Sequence, residues 1–269
     1  MRPPPRLWRR RYSVPVATKP KKNAKYDLKA ADRKRNLLVQ VGLTSVVVIF
    51  AVALVLYIVM SADEQPTAGE TQSIRVASAS VIKKEGTDEP KAVVSMYEDF
   101  LCPACRNFEM QIGPTINKLV DAGVIAADYY MVSILDRPQN QNYSSRSGGA
   151  GYCVAEESND AFRRFHAALY SQQPSETGTS FPDNARLVEL ARQAGAAGTV
   201  PECITKGRFV DMVKGQAAAA GIKATPTIKI NGEDYQPSTA DEFVTKIRSI
   251  VGDVPGLEAA PAAAPAPAS

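Results

Sequence analysis

Apolar positions change their spacing several times along this chain. The first regime is a run from Leu37 to Met60 that carries no charge and is interrupted mainly by Gln40, Thr44 and Ser45. Its 24 residues are enough for one transmembrane helix, which needs about 20. Ser61 to Thr71 is polar and turn-rich and reads as a linker, reaching about 18 Å root-mean-square if flexible. Ile74 and Val76 then alternate with Ser73 and Arg75, a short edge-strand pattern. Ala92 to Tyr97 reads as a buried strand and Pro103 towards Asp121 as a helix, which Gly113-Pro114 should kink or break. Val124 to Leu135, rich in β-branched and aromatic residues, reads as the next strand. From Ser147 to about Lys206 the spacing turns helical and polar, with Asp160 and Asp183 placed to cap helices over 161–170 and 184–194. Phe209 to Ala220 predicts a further helix. Ala224 to Tyr235 predicts a hairpin around Asn231-Gly232, the pair that a type I′ turn favours. A last helix runs from Asp241-Glu242 to about Gly252, and an Ala/Pro-rich tail over 253–269 is predicted to be disordered.

Charge sharpens this division. The 269 residues carry a net +4, but residues 1–36 hold thirteen Lys/Arg against Asp27 and Asp32, a local +11 that leaves the remainder near −7. A basic arm alone can signal nucleic acid. Next to an apolar run it signals orientation instead: the N-terminus stays in the cytoplasm and everything after Ser61 lies outside, with the arm on anionic lipid. A cleaved signal peptide is the competing reading, but Val59-Met60-Ser61-Ala62 is a poor cleavage site and the preceding segments are too long for one. The expected organisation is a cytoplasmic arm (1–36), a signal anchor (37–60), a linker (61–71), a folded domain (72–252, with a helical insertion at about 147–207) and the tail.

Candidate chemistry sits at Asp99-Phe100-Leu101-Cys102-Pro103-Ala104-Cys105-Arg106. A Cys-x-x-Cys between a strand and a helix is the pattern of a redox dithiol. Cys102 at a helix N-terminus faces unpaired N–H groups and the positive end of the helix dipole, which favour the thiolate. The thiolate is the attacking form. Pro103 suits the first helical position. A structural zinc site needs four ligands, and the chain offers only Cys153, Cys203 and His166 besides. An inert structural disulfide is the other alternative. His166 reads as a packed or surface helix residue rather than a catalyst.

The order strand, Cys-Pro-x-Cys helix, strand, helical insertion, Thr225-Pro226-Thr227 strand, hairpin and helix resembles the DsbA-like thiol–disulfide oxidoreductases. The resemblance covers roughly 72–252. It implies an α/β thioredoxin fold with a helical insertion, here preceded by one transmembrane helix. It makes Cys102 the nucleophile and Cys105 the resolving thiol. It makes Pro226 a cis proline facing them, exposing the backbone of Thr225 for β-type pairing with a substrate peptide. Two features depart from the family. Its strong oxidants carry His where this chain has Ala104, and thioredoxin-fold members often carry a buried acid where this chain has Met96. Glu98 and Asp99 lie near, but strand alternation need not bring either beneath the sulfurs. Four cysteines allow three connectivities. If Cys102 and Cys105 are the redox pair, Cys153 and Cys203 remain for each other, with two free buried thiols as the alternative.

The implied activity is formation of disulfides in exported proteins with free or mispaired cysteines. A quinone-linked membrane partner of the DsbB or vitamin K epoxide reductase-like kind would re-oxidise the protein. No cofactor, metal or nucleic acid is implied. The alternatives are a reductant or isomerase of the same fold, for example in cytochrome c maturation, and a non-catalytic binding or chaperone module.

Overall fold

The computed structural model describes residues 28–61, 71–236 and 238–261. The arm before residue 28, the linker at 62–70 and the tail from 262 lie outside the described residues. The chain divides into two units, Met1–Glu64 and Gln65–Ser269.

Among the described residues the first unit holds one helix, α1 (Leu28–Ser61). Its described side chains, at 39–55, are mostly apolar and exposed. Two of the polar interruptions are satisfied within the helix: Thr44 Oγ1 donates to the Gln40 carbonyl at 2.6 Å and Ser45 Oγ to that of Val41 at 2.7 Å. Among the described residues no helix is long and apolar enough to cross a membrane.

The second unit is a five-stranded sheet in the order β1-β3-β2-β4-β5, comprising β1 (Ile74–Val76), β2 (Val93–Glu98), β3 (Ala126–Met131), β4 (Thr227–Ile230) and β5 (Glu233–Tyr235). The β2 and β3 strands are parallel and the other pairs antiparallel. The central strand β2 alternates, with Val94, Met96 and Glu98 turned inward. Behind it the expected helix is broken at Ile112 into α2 (Pro103–Gln111) and α3 (Gly113–Asp121). The break falls at Gly113-Pro114 because a helix-interior proline lacks the N–H and crowds the preceding turn. Asn231 (φ 51°) and Gly232 (φ 88°) both take the left-handed conformation that the hairpin turn requires.

The insertion contains α4 (Tyr143–Glu157), α5 (Asn159–Ser171), α6 (Asn184–Gln193), α7 (Val200–Lys206) and α8 (Val210–Ala219). It starts four residues earlier than its sequence pattern indicated. Asp183 caps α6, but α5 is capped by Ser158, whose side chain accepts from the Ala161 N–H, and not by Asp160. Serine fits this position because its short hydroxyl reaches back to the third N–H. The buried amide of Gln216 locks the domain's first residue, its Oε1 accepting from the Gln72 N–H at 2.8 Å while its Nε2 donates to Met131 and Tyr152.

The last helix is α9 (Ala240–Val251). The disordered tail expected from 253 is corrected as far as 261. Leu257 is buried, Lys118 pairs with Glu258, and the Ala260 N–H donates to Thr115 Oγ1. Val254 and Ala259 pack on the same core beside Leu257, contacts that composition alone hides.

Candidate active site

The loop leaving β2 positions the cysteines. Asp99 is fully buried, and its carboxylate accepts from the Leu101 N–H and the Leu135 N–H, both at 2.9 Å. Its carbonyl accepts from the Cys102 N–H at 2.9 Å. Burial pushes the Asp99 carboxyl up to about 6, against the pull of these hydrogen bonds.

Cys102 caps α2 with an extended backbone (φ −75°, ψ 119°), and Pro103 begins the helix. Cys105 lies within the first turn and is wholly buried. Both cysteines are free thiols, and their acidities diverge. Cys102 is pulled down to about 5, foremost by the hydrogen bond it receives from Cys105, then by those from the Thr225 hydroxyl and from the N–H groups of Cys105 and Ala104. Cys105 is pushed strongly up by burial first, then by its bond to the Cys102 sulfur and by the charge of Glu98.

The Thr225–Pro226 bond is cis. As a thiol, Cys102 Sγ donates to the Thr225 carbonyl at 3.4 Å. Beside it runs a groove of about 340 Å³ lined by Phe108, Ile112, Pro226, Ile228 and Tyr235 among others.

The insertion reaches over the same loop. Gln173 Nε2 donates to the carbonyls of both Phe100 and Cys102 at 3.0 Å. Arg106 Nε returns a hydrogen bond to the Tyr170 carbonyl at 3.0 Å.

Behind the sulfurs lies a cluster of three titratable side chains. Glu98 has no exposed surface, and His166 Nε2 is 2.9 Å from its Oε2. His166 Nδ1 is 3.8 Å from Glu109 Oε2. Burial pushes Glu98 up to about 8, the Cys102 charge adding to the effect. Burial raises Glu109 well above the ordinary carboxylate range, and the nearby Glu98 charge raises it further. Glu109 is therefore the protonated partner, donating to Glu98 across their mutual hydrogen bond. Burial lowers His166, so its contact with Glu98 is a neutral hydrogen bond rather than an ion pair. The ring is packed edge-on against Phe100, Tyr129 and Tyr170. Atoms of the three residues lie within 4.8 Å of one another, close enough in principle for a metal ion. One oxygen of each carboxyl, Glu98 Oε1 and Glu109 Oε1, has no hydrogen-bond partner.

The structure thus brings together Cys102, Cys105, Thr225 and Pro226. Cys153 and Cys203 lie apart from them, joined in a disulfide between α4 and α7 with Cα atoms 5.8 Å apart and 50 residues between them in sequence. Sequence reasoning weighed Glu98 and His166 and set both aside, and it did not single out Glu109 or Gln173. For Glu98 a signal existed: it continues the inward Val94, Met96 alternation, so an acid occupies a core position.

A thioredoxin family model matches residues 84–249. The chain belongs to the thioredoxin family. Within that family the folded domain is a DsbA-like thiol–disulfide oxidoreductase. It is 57% identical to the reduced DsbA of Mycobacterium tuberculosis, covering 69% of this chain and 95% of that one, with a TM-score of 0.68. The serine/threonine-protein kinase PknE of Mycobacterium tuberculosis is 28% identical over 139 residues, 50% of this chain. Disulfide bond formation protein D of Bacillus subtilis is 27% identical over 152 residues, 54% of this chain and 66% of that protein. The matched segment spans about a quarter of the kinase, 25% of its length.

Proposed function

We propose that the protein is a membrane-anchored oxidant that forms disulfides in exported proteins. The observation that carries this reading is the opposed acidity of the two thiols, Cys102 held near 5 and Cys105 pushed up. A dithiol is a strong oxidant when its reduced form is stabilised. A Cys102 thiolate supplies that stabilisation.

The steps follow from the geometry. A substrate thiolate attacks Cys102 Sγ, the Cys102–Cys105 bond breaks, and Cys105 departs with the electron pair and takes up a proton. The Thr225 backbone, beside Cys102, pairs with the substrate strand. A second substrate thiolate then attacks the substrate sulfur of the mixed disulfide and expels Cys102, a good leaving group because its thiolate is stabilised. The substrate loses two electrons and two protons, one proton residing on Cys105 and the other in solvent. A quinone-linked membrane partner then removes the electrons. Residues 37–60 supply the anchor and the basic arm the cytoplasmic end, which puts the domain outside.

Equilibration with glutathione buffers tests the direction of exchange. The expected potential lies between about −270 mV for thioredoxin and −120 mV for DsbA, nearer the latter. A value at or below that of thioredoxin refutes the oxidant and favours a reductant; no exchange at all favours a binding module. C105S should accumulate reducible adducts with exported proteins and C102S should not. Equal trapping by the two overturns the assignment of the nucleophile.

A further inference from the structure

Behind the cysteines the fold gathers more ligand-type atoms than hydrogen bonding uses. Glu98 comes from β2, Glu109 from α2 and His166 from α5, and one atom of each lies within 4.8 Å of the others. Buried charges in proteins are paired or coordinate metals. Arg163, the cation on the wall of the adjoining cavity, is turned away to Asn117 and Asp121. Two buried carboxyl oxygens, Glu98 Oε1 and Glu109 Oε1, have no hydrogen-bond partner. An orphaned buried polar atom in a folded domain calls for an explanation, and a bound ion is one of the few available.

The geometry favours the ion. His166 Nδ1 and Glu109 Oε2 stand 3.8 Å apart, too far for a hydrogen bond. That separation suits two atoms sharing one ion at about 2.1 Å from each. His166 is already oriented for this, its Nε2 held 2.9 Å from Glu98 Oε2 and its ring walled by Phe100, Tyr129 and Tyr170. A carboxylate on the second ring nitrogen is the usual support of a histidine ligand. Glu109 owes its place to the missing side chain of Gly113, where a Cβ would collide with Glu109 Oε2. Glu109 and His166 also face a cavity of about 330 Å³ lined by residues of α2, α3 and α5. It gives an ion an entry path and gives water access to the remaining coordination positions.

We propose that Glu98, Glu109 and His166 bind one divalent transition-metal ion of the zinc class, which braces the redox core to the helical insertion. The imidazole selects against calcium and magnesium, which take shells of oxygen. One nitrogen and two carboxylates suit a borderline ion instead. The charges balance. Two carboxylates meet a doubly charged ion, the neutral imidazole gives a lone pair, and the one proton that the two carboxyls share leaves to solvent. The bound ion joins β2, α2 and α5 by coordinate bonds, so it stabilises the fold by as much as it prefers the folded chain.

The test uses full-length protein with Cys102 and Cys105 oxidised to a disulfide, so that no thiol competes for the ion. After stripping with EDTA and dialysis, Zn²⁺ is titrated in competition with a chromogenic chelator, and Co²⁺ is followed by its visible absorption. One ion should bind per chain, Co²⁺ without the charge-transfer band of a thiolate ligand. E109Q and H166N should each weaken zinc binding about tenfold or more. Saturating zinc should raise the melting temperature of oxidised wild type, and the rise should vanish in both variants. A cluster held by hydrogen bonds alone would show no such rise. No binding by oxidised wild type, equal affinity in all three proteins, or a preference for Ca²⁺ over Zn²⁺ each overturns the proposal. Zinc held only by the reduced protein, and lost when Cys102 and Cys105 are both replaced by serine, belongs to the dithiol and overturns it too. E98Q stands in for either variant that fails to fold. The site needs no disulfide exchange, so a protein that binds the ion but exchanges nothing with glutathione refutes only the oxidant reading.

Discussion

Replacing Thr225 with valine removes a hydroxyl that donates to the Cys102 thiolate while nearly preserving side-chain shape. Cys102 falls from 9.0 to about 5. A depressed pKa stabilises the reduced fold fully above the unfolded value, and that stabilisation is lost as pH falls through 5. At pH 7 only the interval between 5 and 7 counts, about 2 units or at most about 2.7 kcal/mol, equivalent to about 60 mV for a two-electron couple. Hydrogen bonds to charged groups contribute about 1.5–3 kcal/mol, and at the groove mouth water screens this one to the lower end. T225V should therefore raise the Cys102 pKa by about one unit and make the potential about 30 mV more reducing. Thiolate absorbance near 240 nm, followed against pH, reads the first; glutathione equilibration reads the second. The reduced variant should melt about 3–6 °C below reduced wild type at pH 7, the gap closing near pH 4 where both are thiols. The oxidised forms, lacking a thiolate, should melt together. An unchanged thiolate titration in T225V would show that the hydroxyl is not the donor.

Replacing both Cys153 and Cys203 with serine opens a loop of 50 residues, which should cost about 4 kcal/mol. That is about 10 °C of melting temperature in a domain of this size, with peptide oxidation largely spared; lost activity in a still-folded variant would make this disulfide part of the redox machinery. A reporter fused after Ser269 should be active only outside the cytoplasm, with the mature chain keeping its N-terminus. A soluble form starting near Asp63 would mean that the apolar run is cleaved rather than retained.

What the sequence disclosed tracks how local each cause is. Cys102-Pro103 at a helix start, the break at Gly113-Pro114 and the turn at Asn231-Gly232 depend on neighbouring residues, and the fold places all three as read. The α5 cap was misassigned by two residues because Ser158 and Asp160 are both competent, and only the backbone path chooses between them. Glu98 and His166 are 68 residues apart. No window of local pattern can join them, and a lone histidine on an apolar helix face reads as packing. Only the folded sheet shows that its ring faces an acid.

Gln173 gives the insertion a different standing from that of an added lobe. One amide nitrogen from the loop that follows α5 donates to two carbonyls of the loop that carries Cys102. The insertion and the catalytic core are thus not interchangeable cassettes. A chimaera that replaced this lobe with another would have to supply a donor of the same reach. Otherwise the Phe100 carbonyl would lose this donor and the Cys102 carbonyl would keep only the Arg106 N–H, beside a sulfur whose reactivity depends on being anionic. Divergence in the lobe is constrained at this junction by the electrostatics of the thiolate, even though the lobe contributes neither cysteine of the reactive pair.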